Sequence, residues 1–189
     1  MEIVKNSIQG VFEITLKPIA DNRGFFMRTY DLQIFNQNGL QTQWVQENHS
    51  KSIQKDIIRG LHLQLPPFAE TKMIRCIKGE VMDVFVDLRK NSPTFGKWGS
   101  VIISESNFKC VYIPKGFAHG FCSLTGNCEV VYKVDNYYNK PSELGIIWND
   151  PDVGIAWPVD KPILSEKDSM NMTLKQFIEK YQFIDVENV

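Results

Sequence analysis

The sequence predicts an all-β protein built as a sandwich or jelly roll. Short apolar or alternating segments such as "EVMDVFVDL" and "WGSVIIS" recur along the chain at a spacing of roughly ten residues. Turn signals such as "KNSPTFGK" and "LTGN" separate these segments. Because no helical segments alternate with the strands, the pattern argues against a doubly wound α/β sheet.

The predicted strands follow one another from the amino terminus to the last third of the chain. In chain order they lie in "VFEITLK", "GFFMRTY", "IIRGLHLQL", "TKMIRCIKG", "EVMDVFVDL", "WGSVIIS", "CVYIPKG", "HGFCSL" and "EVVYKV". The third shows the period of two most clearly, because its leucines alternate with His62 and Gln64. One face of that strand is therefore apolar, and the other carries the imidazole.

Two helices are predicted beside the strands. A short one lies in "DLQIFNQNG", where Asp31 can cap the start and Gly39 can follow the end. The second lies near the carboxyl end, in "MTLKQFIEKYQFI", with Thr173 as its cap. Its apolar face is predicted to consist of Leu174, Phe177, Ile178 and Tyr181.

Length and composition are typical of one ordinary globular domain spanning residues 1–189. A net charge of −1 gives no overall attraction to nucleic acid or to an anionic membrane. The amino terminus lacks a secretory signal pattern, and no apolar run is long enough to span a bilayer, so we expect a cytoplasmic protein. No CxxC pair occurs, and we expect buried free thiols at Cys76, Cys110, Cys122 and Cys128.

Three basic side chains stand out in "RGLHLQLPPFAETK": Arg59, His62 and Lys72. Cations inside a sheet require anionic partners, because an unpaired buried charge is costly. A bound phosphate is one candidate partner, and a salt-bridged core is the alternative. Within the chain, the candidate carboxylates are Asp83, Asp87 and Asp168.

The same strand also bears on metal binding. Metal-dependent jelly rolls commonly use an HxH pair, but here the second position is Gln64 after His62. A neutral amide is a weak donor for a transition metal, so we expect no tight metal site. The spacing of His49 does not suggest a substitute ligand.

Two tyrosines in "VVYKVDNYYN" are further candidates. Tyr132 lies on an alternating strand, where its phenol can donate a structural hydrogen bond or act as a proton donor. Tyr138, in the following loop, can stack on a flat ring or cover the rim of the barrel.

Taken together, the motifs resemble the dTDP-4-dehydrorhamnose 3,5-epimerase family over nearly the whole chain. They are "DNRGFF", "VQENHS", "IRGLHLQ", "TKMIRCIKGEVMDVFVDLRKNSPTFGKW", "IPKGFAHGF", "YKVDNYY", "GIIWNDPDVGIAWP" and "PILSEKD". The resemblance implies a double-stranded β-helix, the cupin jelly roll, in a homodimer formed by strand exchange. It also implies action on a nucleotide-linked 4-keto-6-deoxyhexose with no metal or organic cofactor.

The resemblance implies roles for individual residues as well. His62 matches the catalytic base, Asp168 the carboxylate that orients it, and Tyr132 the acid on the opposite face of the sugar. Lys72 matches the cation beside the C4 oxygen. The substrate-binding residues implied are Arg23, Gln46, Glu47, Asn48, Arg59, His119, Tyr138, Glu143 and Lys167. One departure is Arg28, where the family commonly has a glutamate.

Elementary chemistry agrees with this set of residues. The hydrogens on C3 and C5 are acidic only through the neighbouring ketone, so removing one builds an enolate that a cation stabilises. Inversion then requires a base on one side and an acid on the other. Alternatives within the class are inversion of C3 alone or C5 alone, or use of another nucleotide. Outside the class they are a non-catalytic carbohydrate-binding jelly roll and a metal-dependent oxygenase.

Overall fold

Two antiparallel sheets face each other in the computed structural model, which describes residues 1–186. The strands are β1 (Glu2–Lys5), β2 (Phe12–Thr15), β3 (Ile19–Asp21), β4 (Gly24–Phe26), β5 (Gln46–Ser52), β6 (Ile58–Gln64), β7 (Lys72–Lys78), β8 (Glu80–Asp87), β9 (Trp98–Ser104), β10 (Lys109–Ile113), β11 (Phe117–Ser123), β12 (Cys128–Val134) and β13 (Glu143–Gly145). The helices are α1 (Leu32–Gln37), α2 (Glu166–Ser169) and α3 (Leu174–Tyr181), with a 3-10 turn at Lys140–Ser142. The all-β prediction is confirmed.

The strand order shows how distant segments meet. One sheet has six strands in the order β1-β2-β10-β7-β12-β5, and the other has five in the order β13-β6-β11-β8-β9. Strands β3 and β4 form a separate two-stranded hairpin. Neighbouring strands within a sheet are therefore often far apart in the sequence.

The apolar residues form three layers. Ile74 and Val111 of the six-stranded sheet meet Phe85 and Phe121 of the five-stranded sheet in the core between them. The outer face of the five-stranded sheet is covered by α3, through Phe177 and its neighbours. On the outer face of the six-stranded sheet, Phe35 of α1 packs against Ile14 and Tyr112.

Strand β6 separates its two faces as the alternation predicts. Leu61 and Leu63 are buried in the cluster that includes α3. His62 and Gln64 point the other way, toward the space between the sheets. The polar face of β6 is thus an interior wall.

Both predicted helices are present with their caps. Asp31 accepts hydrogen bonds from the backbone N–H groups of residues 33 and 34, and Thr173 forms a capping box with Gln176. On the predicted apolar face of α3, Leu174 and Phe177 are buried, whereas Ile178 is 40 % exposed. The part of this face that packs on the sheet is therefore narrower than the whole apolar face.

Several elements were not predicted. The longest is β5, "QENHSKS", a polar edge strand that pairs, among the strands of residues 1–186, with β12 alone. Its residues carry no apolar alternation, so the strand is held by backbone pairing with its neighbour. The short strands β1, β3 and β13 and the one-turn helix α2 were also missed.

The four cysteines are buried and free, as predicted. Burial raises the pKa of the Cys76 and Cys110 thiols to about 12. Neither thiol is therefore a nucleophile at neutral pH. Among the helices within residues 1–186, none combines the length and apolarity needed to cross a bilayer.

Candidate active site

A cavity of about 460 Å³ lies between the two sheets. His62 and His119 reach it from the five-stranded sheet, and Lys72 and Tyr132 reach it from the six-stranded sheet. Asp168 closes it from α2. The structure thus brings all four predicted catalytic side chains, together with His119, to one space.

His62 and Asp168 form a pair in which the carboxylate is buried and the imidazole is 31 % exposed. Nε2 of His62 lies 2.5 Å from Oδ1 of Asp168, whose side chain is only 6 % exposed. A carboxylate only accepts hydrogen bonds, so Nε2 carries the hydrogen and Nδ1 has the free lone pair. Asp168 is itself held, because its backbone N–H donates to the Ser165 hydroxyl and Oδ2 lies 3.4 Å from the Gly60 nitrogen.

The charge of Asp168 is retained despite its burial. Burial alone would raise the pKa of this carboxyl group. The hydrogen bond and the charge of His62, with the bonds from Ser165 and Gly60, outweigh that effect and lower the pKa below its ordinary value. Asp168 is therefore an anion at neutral pH and can stabilise a protonated His62.

His119 is the strand neighbour of His62 and has its own carboxylate. The two histidines are register partners on β11 and β6. Nε2 of His119 lies 2.8 Å from Oδ2 of Asp83, and both side chains are buried. The arrangement holds His119 in one orientation beside the cavity.

Two glycines allow these strands to approach closely. Gly60 has φ +123°, and a Cβ there would lie 2.7 Å from the Cα of Gly120. A larger residue at either position would push β6 away from β11 at the point where both histidines enter the cavity. The pairing register shifts next to this contact, between His119 and Phe121.

Lys72 and Tyr132 face the histidines from the opposite wall. The Lys72 ammonium is 3.2 Å from Oε1 of Glu70, and both side chains are largely buried. Burial raises the pKa of the Tyr132 phenol, and the negative charge of Glu70 raises it further. Tyr132 is therefore protonated at neutral pH, as a proton donor must be.

A second, smaller cavity of about 170 Å³ continues the first. It shares His62, Lys72 and Tyr132 with the larger one. Its other polar wall residues include the predicted binding residues Gln46, Asn48, Tyr138 and Glu143. The two cavities together form one elongated site.

Tyr138 and Lys167 are joined through Glu143. The Tyr138 hydroxyl donates to Oε2 of Glu143 at 2.9 Å, and Oε1 of Glu143 lies 2.5 Å from the Lys167 ammonium. Burial would raise the pKa of Glu143, but the bonds from Lys167 and Tyr138 lower it below its ordinary value. The Tyr138 ring stays 57 % exposed beside the site.

Arg59 also lines the larger cavity, at its open side. Its guanidinium donates to the carbonyl oxygen of Lys51 at 2.8 Å and to the Ser52 hydroxyl at 3.3 Å. Both partners are uncharged, so the positive charge of Arg59 remains available to an anion in the cavity.

Two predicted binding residues do not line either cavity of this chain. Arg23 lies on the hairpin of β3 and β4, pairs with Asp21, and has a side chain that is 85 % exposed. Glu47 lies on β5 and pairs with Lys133 of β12. The departure from the family pattern, Arg28, pairs with Asp31 at the start of α1.

The predicted carboxylate partners are found in part. Asp168 pairs with His62, and Asp83 pairs with His119. Asp87 was also a candidate, but it pairs with Arg89, outside the cavity. The partner of Lys72 was missed: it is Glu70, two residues earlier, a spacing that places both side chains on one face of an extended chain.

Gln64 occupies the position where an HxH pair would have its second histidine. Its amide is bonded to the carbonyl oxygens of Phe68 and Tyr137, to Glu70 and to the backbone N–H of Asn139. Across residues 1–186, no three His, Cys, Asp or Glu side chains converge as metal ligands would. Because the amide of Gln64 is already bonded to protein groups, this side chain suits hydrogen bonding better than metal coordination.

Comparison with known proteins identifies the relatives of this chain. The family model described as dTDP-4-dehydrorhamnose 3,5-epimerase matches residues 5–176. A dTDP-4-dehydrorhamnose 3,5-epimerase from Shigella flexneri is 46 % identical over 185 residues, which are 97 % of this chain and 100 % of the relative.

Solved structures of epimerases also resemble this chain. The epimerase of Bacillus anthracis, with TDP and PPi bound, has a TM-score of 0.89 at 41 % identity and covers 92 % of this chain and 99 % of its own. The Legionella pneumophila enzyme, in complex with dTDP-4-keto-L-rhamnose, has a TM-score of 0.87 at 39 % identity and covers 92 % of this chain and 93 % of its own.

Proposed function

The chain belongs to the dTDP-4-dehydrorhamnose 3,5-epimerase family, and on that basis we propose the reaction that it catalyses. It inverts C3 and C5 of dTDP-4-dehydro-6-deoxy-D-glucose and forms dTDP-4-dehydro-L-rhamnose. The observation that carries the proposal is that His62, paired with Asp168, and Tyr132 open into one cavity from opposite sheets.

His62 is the base in this proposal. With its Nε2 hydrogen directed to Asp168, the lone pair of Nδ1 takes the hydrogen from the carbon next to the ketone. The imidazolium that results lies beside a buried carboxylate, which stabilises it. The electron pair of the broken C–H bond moves to the C4 oxygen, and an enolate forms.

Lys72 stabilises the negative oxygen, and Tyr132 completes the inversion. A buried ammonium stabilises an oxyanion more strongly than an ammonium in water, because the local dielectric constant is lower. The phenol of Tyr132 then gives its hydrogen to the carbon from the face opposite His62. Before the second carbon reacts, the imidazolium releases its proton to solvent and the Tyr132 phenolate takes one from solvent, and the same two steps at that carbon then give the double epimer.

The nucleotide end of the substrate occupies the exposed part of the site. Arg59 and Lys167 are positioned to meet the pyrophosphate, whose charges suit a guanidinium. The exposed ring of Tyr138 stacks on the base. Support comes from the Bacillus anthracis relative, which binds TDP and PPi.

We also propose a homodimer formed by strand exchange. The hairpin of β3 and β4 exposes Ile19, Phe25 and Phe26, with Phe26 at 68 %. An exposed apolar hairpin is an unfavourable surface for a monomer and suits packing against a second copy. The same packing would bring Arg23, which does not reach its own cavity, to the substrate of the partner.

No metal or organic cofactor takes part in the proposed reaction. The ketone of the substrate supplies the acidity, and the amide of Gln64 is already bonded to protein groups rather than directed to a ligand. Activity should therefore persist after treatment with a chelator. A loss that added metal restores would favour the oxygenase-type alternative.

Solvent exchange tests the proposal directly. The enzyme is incubated in deuterated water with dTDP-, CDP- and GDP-linked 4-keto-6-deoxyhexoses, and NMR follows deuterium at C3 and C5. We expect deuterium at both carbons of the dTDP sugar, and loss of exchange with nucleotide binding retained in His62→Ala. Binding without exchange in the native protein would instead indicate a carbohydrate-binding module.

A further inference from the structure

One carboxylate in the cavity has no part in the proton transfers described above. Glu70 precedes β7 by two residues, and its side chain is 13 % exposed. Oε1 lies 3.2 Å from the Lys72 ammonium, and Oε2 accepts a hydrogen bond from the Gln64 amide at 3.2 Å. Each oxygen of Glu70 therefore has its own partner.

Gln64 is itself rigidly held. Nε2 of Gln64 lies 3.0 Å from the carbonyl oxygen of Phe68, 3.1 Å from that of Tyr137 and 3.2 Å from Oε2 of Glu70, so its two hydrogens are shared among three acceptors. Oε1 of Gln64 accepts from the Asn139 N–H at 2.6 Å. The amide thus ties the loop before β7 to the loop after β12, and it is 4 % exposed.

Two further contacts fasten the same loops together. Oδ1 of Asp135 accepts from the Thr71 N–H at 2.6 Å, and the Asn136 side chain donates to the carbonyl oxygen of Pro67 at 2.9 Å. The backbone on both sides of Glu70 is therefore anchored, and its carboxylate is a fixed point in the cavity wall.

A fixed carboxylate matters for a lysine more than for most residues. The Lys72 side chain has four rotatable bonds, and its ammonium is a point charge without a preferred direction. The Lys72–Glu70 pair is largely buried and not screened by water as a surface pair would be. Removal of the carboxylate would leave a buried ammonium free to choose among rotamers.

We propose that Glu70, anchored by Gln64, is a positioning residue that holds the Lys72 ammonium where the C4 oxygen of the substrate becomes negative. The inference rests on the proposed function, and Glu70 touches no reacting atom. Glu70 would increase the rate by fixing the position of the Lys72 ammonium, because a misplacement of about 1 Å can cost on the order of 10² in rate.

The test compares Glu70→Ala and Glu70→Gln with the native enzyme. The steady-state kcat and KM of each are measured with the deuterium-exchange assay. Glutamine keeps an oxygen that can accept from Lys72, and alanine does not. We expect Glu70→Ala to lower kcat about 10- to 100-fold with little change in KM, and Glu70→Gln to stay within about threefold of native. Glu13→Ala, which removes the partner of Lys109 outside the cavity, is the matched control.

A pH profile adds a readout that loss of stability alone would not move. Burial is the main cause of the raised pKa of Tyr132; the charges of Glu70 and Glu143 raise it further, and that of Arg59 lowers it. Because Glu70 and Tyr132 line the same cavity, both Glu70 variants should lose activity at a lower alkaline pH than the native enzyme. The control variant Glu13→Ala should keep the alkaline limb of the native enzyme. An unchanged alkaline limb in both variants would overturn the placement of Glu70 beside the phenol.

Two outcomes would overturn the positioning role itself: kcat of Glu70→Ala within threefold of native, or equal losses in the alanine and glutamine variants. A failure of the proposed function is distinguishable, since the native enzyme would then show no exchange. In that case NMR of the labelled Lys72 ammonium still tests whether Glu70 holds this group in place. The proposal requires slow hydrogen exchange of this group in the native protein and fast exchange in Glu70→Ala.

Discussion

The substitution Asp168→Asn tests the pairing on which proton removal depends. Asparagine has nearly the same shape as aspartate, so the packing of α2 against β6 should be preserved. What is lost is the negative charge 2.5 Å from Nε2 of His62. In the native enzyme that charge attracts the imidazolium formed when His62 takes the hydrogen from carbon.

The size of the effect follows from the partial burial of the pair. The Asp168 side chain is 6 % exposed and the His62 side chain 31 %, so solvent screens the interaction less than it screens a surface pair. Opposite unit charges about 4 Å apart attract by about 4 kcal/mol at an effective dielectric constant of about 20. Asparagine retains an oxygen acceptor but no charge, so we expect a loss of about 3–4 kcal/mol, or on the order of 10²–10³ in rate.

Deuterium exchange at C3 and C5 in single-turnover conditions measures this rate. The control is Asp150→Asn, which removes the charge of an equally buried carboxylate that caps backbone N–H groups away from the cavity. Nucleotide binding, measured by calorimetry, should be unchanged in Asp168→Asn. An exchange rate within tenfold of native would refute the role of Asp168 as the partner of an imidazolium.

Other predictions concern the acid, the stability and the assembly. Tyr132→Phe should leave exchange faster than inversion, because His62 still removes the hydrogen while the opposite face lacks a donor; NMR that shows equal loss of both would contradict this. Burial would raise the pKa of Asp87, but bonds from Arg89, Ser92 and Thr94 lower it below its ordinary value. The charged carboxylate therefore stabilises the fold above the ordinary aspartate pKa, and this stabilisation is lost as the pH falls through the lowered value. Acid unfolding followed by circular dichroism should be steeper in the native protein than in Asp87→Asn. Phe26→Ser should weaken dimerisation in analytical ultracentrifugation, and a native protein that sediments as a monomer would remove the basis for strand exchange.

The elements predicted correctly are those whose local pattern agrees with their environment. Strand β6 was predicted because one face packs under α3 and the other lines a cavity, so leucines alternate with polar residues. The caps of α1 and α3 were predicted from Asp31 and Thr173, whose bonds are local. Strand β5 was missed, because polar residues at a sheet edge carry no such alternation.

The candidate site was predicted through the resemblance more than through local pattern. Three basic residues in one short stretch indicated an anionic partner, but the sequence alone left three aspartates and a bound phosphate as candidates. Asp168 is separated from His62 by 106 positions, and only the fold brings them together. The pairing of Glu70 with Lys72 could be predicted from the sequence, because side chains two residues apart in an extended chain share a face.

By itself, the sequence determined the strands whose residues alternate, which face of β6 is polar and the caps of α1 and α3, since these depend on neighbours within a few residues. Only the tertiary structure decided that His62 meets Asp168, that Lys72 meets Glu70, and that Arg23 and Glu47 lie outside this chain's own cavity. The physical reason is that strand order and the packing of one sheet on another depend on contacts between residues far apart in the chain, and a local pattern carries no record of them.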